Sequence, residues 1–149
     1  MCKASLELNQ RSQFAVDCLI HVNHSQQDFA EAAEYGLIMM SLRGASEAAI
    51  DSVRSTNGAA ERERAYWQWA LQWLQAHCDE VNDCLSKTAI AMSMLGHDDQ
   101  AVATLDRAFD RGNEAFLAFL AVDPRLQALR QHADFARLAS ASRSAWSEK

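Results

Sequence analysis

Residues 85–113 read LSKTAIAMSMLGHDDQAVATLDRAFDRGN, and the fold follows from them. Ala89 and Met92 share one helix face, and Gly96 makes a turn. Ala101, Leu105 and Ala108 then recur at helical spacing on the far side of it. Small side chains at 89, 101 and 108 let two antiparallel helices approach closely, while Leu85, Met92 and Leu105 fill the gaps beside them. The stretch therefore predicts a helical hairpin, with helices over about 80–95 and 98–111. Asp79 is the predicted cap of the first helix, and Asn113 of a short helix over about 114–121.

The rest of the chain reads the same way. One proline and five glycines interrupt 149 residues, and β-branched residues are scattered, so helix propensity dominates. Gly44, Gly58, Gly96 and Gly112 follow apolar periodic stretches and are predicted helix stops. Gly36 sits inside a helical pattern, where the reason for it is close approach of another helix. Upstream helices are predicted over about 8–22, from the N-cap Ser25 to Arg43, over 46–56 and over 59–77. Downstream, Asp123 before Pro124 opens a turn of helix to Arg130. A last helix spans about 132–145, carrying Phe135 and Leu138. The Ser-rich stretch 140–149 is expected to fray, with Trp146 a candidate for docking. No strand is predicted. The expectation is one helical domain over 1–149, divided into N-terminal helices (1–57), an aromatic helix (58–78), a hairpin with its cap (80–139) and the tail.

The large–small–large, glycine, small–large–small pattern across Leu85, Ala89, Met92, Gly96, Ala101, Leu105 and Ala108 resembles a tetratricopeptide repeat. Asn113 stands where that family usually has proline, and Thr88 where it usually has leucine. Asp123-Pro124-Arg125-Leu126, then Leu129-Arg130, Phe135 and Leu138, resembles the closing segment of many bacterial tetratricopeptide proteins. In those, short helices cover the exposed end of the stack. The resemblance covers residues 80–139. It implies an all-α fold of antiparallel helical hairpins with C-terminal capping helices. An earlier echo exists: Leu37, Met40, Gly44, Ala49 and Val53 repeat the offsets of Ala89, Met92, Gly96, Ala101 and Leu105. Gly44 and Gly96 are 52 residues apart, whereas the family period is about 34, so the predicted array is degenerate. Lysine, arginine and asparagine grip a peptide's terminal carboxylate in some family members. The matching positions here are Ser86, Lys87, Glu34 and Tyr35, of which only Lys87 suits the role, so no carboxylate clamp is predicted.

The least ordinary segment is Tyr66-Trp67-Gln68-Trp69-Ala70-Leu71-Gln72-Trp73-Leu74. On a helix, Tyr66, Trp69, Trp73 and His77 form one stripe, and Trp67, Leu71, Leu74 and Cys78 an adjoining one. The combined apolar arc of roughly 200° exceeds that of a one-sided surface helix. Two readings follow: a central helix sandwiched between neighbours, or one stripe lining a groove or a dimer contact, where aromatics bring area at low entropy cost.

Charge and thiols narrow the function classes. Residues 1–100 hold 14 acids and 7 bases, and residues 101–149 hold 6 acids and 7 bases. Arg107, Arg111, Arg125, Arg130 and Arg137 are interleaved with acids and apolar residues and read as solvated faces. Nucleic acid is therefore not an expected partner. The chain begins Met-Cys-Lys-Ala, without a signal-like apolar region, and has no bilayer-length apolar stretch, so no membrane contact is expected. A cytoplasmic protein with reduced thiols is the expectation. Cys18, His21, His24, His77, Cys78 and Cys84 include zinc-ligating types, but their spacing fits no compact zinc motif. Phosphate loops, nucleophile elbows and metalloprotease motifs are absent from the sequence. Asp98/Asp99 and Glu31/Glu34 read as caps or polar faces, and His97 as a loop residue.

These features point to a non-catalytic protein-interaction scaffold needing no cofactor. The binding candidates are Tyr66, Trp69, Trp73, His77 and Lys87, and the expected partner is a protein or peptide with a basic or apolar segment. A homodimer is a second expected association. The alternative is a small-molecule sensor or enzyme with an aromatic-lined helical pocket, and a third reading is a domain working beside a larger regulator.

Overall fold

The computed structural model describes the backbone of residues 1–147 and the side chains of residues 1–142. Every regular element among them is helical: α1 (Cys2–Leu8), α2 (Gln13–Ser25), α3 (Phe29–Leu42), α4 (Glu47–Arg54), α5 (Ala59–Ala76), α6 (Cys84–Met94), α7 (Asp98–Arg111) and α8 (Ala133–Ser147). Short 3-10 helices lie at Cys78–Glu80, Ala115–Phe119 and Pro124–Gln131. The all-α class is as predicted. The chain forms two compact units, Met1–Tyr66 and Trp67–Lys149, with the boundary inside α5.

In the first unit, α2 and α3 pack as a hairpin. Its core is Val16, Leu19, Ile20, Ala32, Ala33, Leu37 and Met40, all nearly inaccessible to solvent. The start of α3 differs from expectation. Ser25 ends α2, and the cap is Asp28, whose carboxylate accepts the Glu31 N–H at 3.1 Å. Gln27 makes the reversal at φ 62°, a left-handed conformation uncommon for a residue with a side chain. Gly36 meets its expectation: a Cβ there would sit 2.7 Å from Cγ of Tyr66, a ring that is 1% exposed. Helix α1, which the sequence did not announce, lies against α2 and is tied to it by a Cys2–Cys18 disulfide. Phe14, which helical spacing places on one stripe with Cys18 and Val22, is exposed, because α2 buries the Val16–Leu19–Ile20 side.

In the second unit, α6 and α7 form the predicted hairpin across Gly96, which takes φ 79°. Ala89, Ala101 and Ala108 are all fully buried, as is Leu105. The four glycines predicted as helix stops all stand at positive φ. From Cys84 to Ser93, every residue of α6 except Lys87 is buried. That helix is covered by α7 and by the Pro124–Gln131 turn, while α8 packs on α7 and on both later 3-10 helices. Leu120, Leu126, Leu129, Phe135 and Leu138 are buried there. Asp123 caps as predicted, accepting the Arg125 N–H at 2.9 Å with Pro124 in the first turn.

The ends of α6 and of the 112–115 loop differ from the sequence reading. Asp79 falls in the 3-10 turn, and the residue before α6 is Asp83, at φ 54°. Its carboxylate does not cap its own helix and instead accepts the Ala115 N–H at 2.9 Å. Glu114 returns the interaction, accepting the Leu85 and Ser86 N–H groups at 3.2 and 2.8 Å. Two carboxylates thus satisfy each other's orphan helix amides across a sequence gap of about thirty residues. Asn113, the predicted cap, is exposed. The tail does not fray at 140, since α8 continues to Ser147; the side chain of Trp146 lies outside the described residues.

The expectation of reduced thiols is overturned. All four cysteines pair, Cys2 with Cys18 and Cys78 with Cys84, at Cα separations of 6.1 and 5.3 Å. The cytoplasmic assignment loses that support, because such bonds persist in oxidising surroundings. No helix among the described residues is long and apolar enough to cross a membrane.

Candidate functional site

Helix α5 forms because residues 59–76 contain no glycine or proline and are rich in alanine, glutamate, arginine, glutamine and leucine. These good formers outweigh the weaker propensity of the four large aromatic residues. The register then distributes the rings over different surroundings. Trp67, Ala70 and Leu74, spaced three and four apart, are 5%, 1% and 2% exposed and form the buried side of the helix. Gln68, Gln72 and Gln75 are exposed.

Trp69, Trp73 and His77 stand one turn apart and are half-buried. Trp69 stacks on Trp73 with centroids 6.3 Å apart and planes 26° from parallel. Trp73 stacks on the imidazole of His77 at 4.5 Å and 15°. The His77 ring is further fixed by Nδ1, which lies 2.8 Å from the Trp73 carbonyl oxygen. A carbonyl only accepts, so Nδ1 carries the proton and donates, leaving Nε2 as the second ring nitrogen. Immediately beyond, Cys78 is bonded to Cys84, and Asp79 and Glu80 are exposed. The result is a three-ring ladder ending at a pair of acids.

The predicted stripe of four rings is therefore divided. Tyr66 leaves it for the core of the first unit, where its ring lies over Gly36. The structure brings together Trp69, Trp73 and His77. Lys87 is half-buried on α6, the exception in an otherwise buried run.

The zinc-type residues do not assemble. Cys18, Cys78 and Cys84 are consumed by disulfides, and among the described residues no group of three His, Cys, Asp or Glu side chains is placed to hold a metal ion. His24 instead pairs with Glu63, its Nδ1 lying 2.7 and 3.0 Å from the two carboxylate oxygens. Glu63 is 4% exposed, so a buried carboxylate holds the C-terminal turn of α2 to the start of α5 within the first unit. His24 also packs against Phe29, with ring centroids 5.5 Å apart. Sequence reading missed Glu63 because it occupies an Arg-Glu-Arg-rich stretch that looks like a solvated face. Its one local signal is that it stands three residues before Tyr66 and four before Trp67, on the buried side.

Compared with protein-family models, curated proteins and solved structures, the chain matches none. The functional reading therefore rests on these residues. Stacked rings in line along one helix present a strip, with each ring partly covering the next. A small-molecule pocket would instead need the rings to converge on a shared point with a charged group beside it.

Proposed function

We propose that this protein is a non-catalytic interaction scaffold of tetratricopeptide-like type, whose Trp69–Trp73–His77 ladder receives a basic segment of a partner protein. The observation that carries the proposal is the pairing of two adjoining stripes on α5. One is packed into the core and holds the helix rigid. The other keeps three stacked rings half-exposed. Pre-stacked rings lose little freedom on binding, which lowers the cost of association. The face of Trp69 turned away from Trp73 can attract a guanidinium or ammonium group by about 0.5–2 kcal/mol. The exposed Asp79 and Glu80 and the acidic balance of residues 1–100 favour the same partner charge. The buried Ala89, Ala101 and Ala108 and the closed α6–α7 hairpin support the tetratricopeptide-like part of the reading.

The test compares wild type with Trp69→Ala and Trp73→Ala. Binding of a fluorescent Arg/Lys-rich peptide and of an acidic one is followed by anisotropy, and thermal stability by circular dichroism. The proposal expects the basic peptide to bind, to weaken with salt, and to lose affinity at least tenfold in both variants while the melting midpoint is largely kept. Variants that melt much earlier yet still bind the peptide would make the ladder ordinary packing. Self-association through the same rings is the competing outcome, which light scattering over a concentration series would reveal.

A further inference from the structure

Away from α5, the C-terminal part of the second unit holds a concavity of about 190 Å³ lined by Ala121, Arg130, Phe135, Ala136 and Ala139. It is formed by the turn after Ala115–Phe119, the end of the Pro124–Gln131 helix and the first turns of α8. Its accessible surface is divided almost evenly between polar and apolar atoms, the apolar part coming from alanine methyl groups over the Phe135 ring, which is 2% exposed. Among the described residues, the lining side chains other than Arg130 carry no hydrogen-bonding group. Arg130 is exposed, and its one polar contact is Nη2 donating to the Ala121 carbonyl at 3.5 Å, beyond the usual range of a good bond. Among the described residues no carboxylate pairs with it. Nearby arginines differ: Arg125 is clamped on Asp123 at 2.9 Å, and Arg137 reaches Asp106 at 3.5 Å. The sequence places Arg130 on a solvated face, and the side chain is indeed exposed, at the edge of this concavity.

We propose that this hollow binds a small aliphatic monocarboxylate, with the carboxylate on the Arg130 guanidinium and the alkyl tail on Ala121, Phe135, Ala136 and Ala139. The planar fork of a guanidinium matches a carboxylate through two parallel N–H···O bonds. A phosphate or other dianion would need further donors to replace its water, and the described lining side chains offer none beyond Arg130. A neutral alkane would leave the guanidinium unused. The volume lies below the range of about 300–1,000 Å³ that holds drug-sized ligands, and so fits a tail of roughly four to six carbons. The site shares no residue with the aromatic ladder and stands or falls independently of it.

The test titrates the full-length, isotopically labelled protein with hexanoate and follows backbone amide shifts by NMR. Saturable shifts centred on Ala121, Arg130 and Ala136 are expected, with a dissociation constant of roughly millimolar or tighter. Hexanamide, which has the same tail without the charge, should bind at least tenfold more weakly. Arg130→Gln should lose affinity to a similar extent, and Ala136→Leu, which fills the hollow from an exposed position, should abolish it. Should Arg130→Gln disturb the fold, Arg130→Lys and the hexanamide comparison on wild type give the same decision. Equal binding of hexanamide, unaltered binding in a folded Arg130→Gln variant, or no saturable shift overturns the proposal. Tenfold tighter binding of a peptide ending in valine than of hexanoate overturns it too, since the site would then be built for a chain terminus.

Discussion

Gly36→Ala is a one-carbon change with two opposed effects, and the structure sets their sizes. Alanine in a helix interior is favoured over glycine by about 1 kcal/mol. Against this, the new Cβ would lie 2.7 Å from Cγ of Tyr66 and 3.0 and 3.1 Å from the two Cδ atoms. Carbon atoms rest at about 3.5–4.0 Å, so the overlap at Cγ is about 0.8 Å or more. Cγ is the root of the ring, and a χ2 rotation leaves it in place. Relief requires moving α3 or the whole tyrosine side chain, and that side chain is 1% exposed, with packed surroundings. Overpacking of this kind costs about 1–3 kcal/mol. The net expectation is a loss of about 1 kcal/mol, up to about 2, or a fall in melting midpoint of about 4–8 °C per kcal/mol for a unit of this size. Urea denaturation followed by circular dichroism measures it. In a Tyr66→Ala background the obstructing ring is gone, so the same change should become neutral or stabilising. Gly44→Ala serves as a control. Nothing lies within 4 Å of its added carbon, so its cost comes from φ 80° alone and should persist in both backgrounds. A Gly36→Ala protein as stable as wild type would refute the claim that the glycine exists to admit Tyr66.

Other consequences are equally specific. Glu114→Ala should cost about 1–2 kcal/mol by uncapping the Leu85 and Ser86 amides, and amide hydrogen exchange should accelerate first in the opening turn of α6. Thiol titration should detect no free thiols in the native protein and four after reduction in denaturant. On chain entropy, losing Cys2–Cys18 should destabilise by about 3 kcal/mol and losing Cys78–Cys84 by about 2, as separations of 16 and 6 residues imply; paired Cys→Ser variants give the comparison. His24→Ala should cost about 1–2 kcal/mol by removing a partner of the buried Glu63 carboxylate, and the added change Glu63→Gln should recover part of the loss in a denaturant series.

What the sequence made legible depended on short range and on side-chain size. Alanines at 89, 101 and 108 around a turn glycine are sites where a larger residue would keep two helices apart, and all three are buried. Asp123 before Pro124 carries its own local geometry, and the cap is there. Features decided at a distance were not legible. Ser25 and Asp28 are both good caps three residues apart, and the choice fell to Gln27 adopting a left-handed turn that nothing in its side chain demands. The start of α6 is set by Glu114, far along the chain. Disulfide pairing is a matter of spatial separation, and Cys2 reaches Cys18 through a helix that the apolar pattern did not announce. Within the candidate site, periodicity put Tyr66, Trp69 and Trp73 on one stripe correctly. It could not say that Tyr66 is buried over Gly36 while Trp69, one turn on, stays half-exposed.

The exchange of carboxylates between Asp83 and Glu114 also limits how this hairpin can be reused. A tandem array is normally lengthened by copying one helix pair and splicing it in. Here the pair Cys84–Arg111 is incomplete as cut, because the anion that terminates its first helix is carried three residues beyond its second. A grafted copy ending at Gly112 would begin with bare amides, and one extended to Ala115 would bring its own stopper. The shortest segment that carries both of these caps is therefore 83–115.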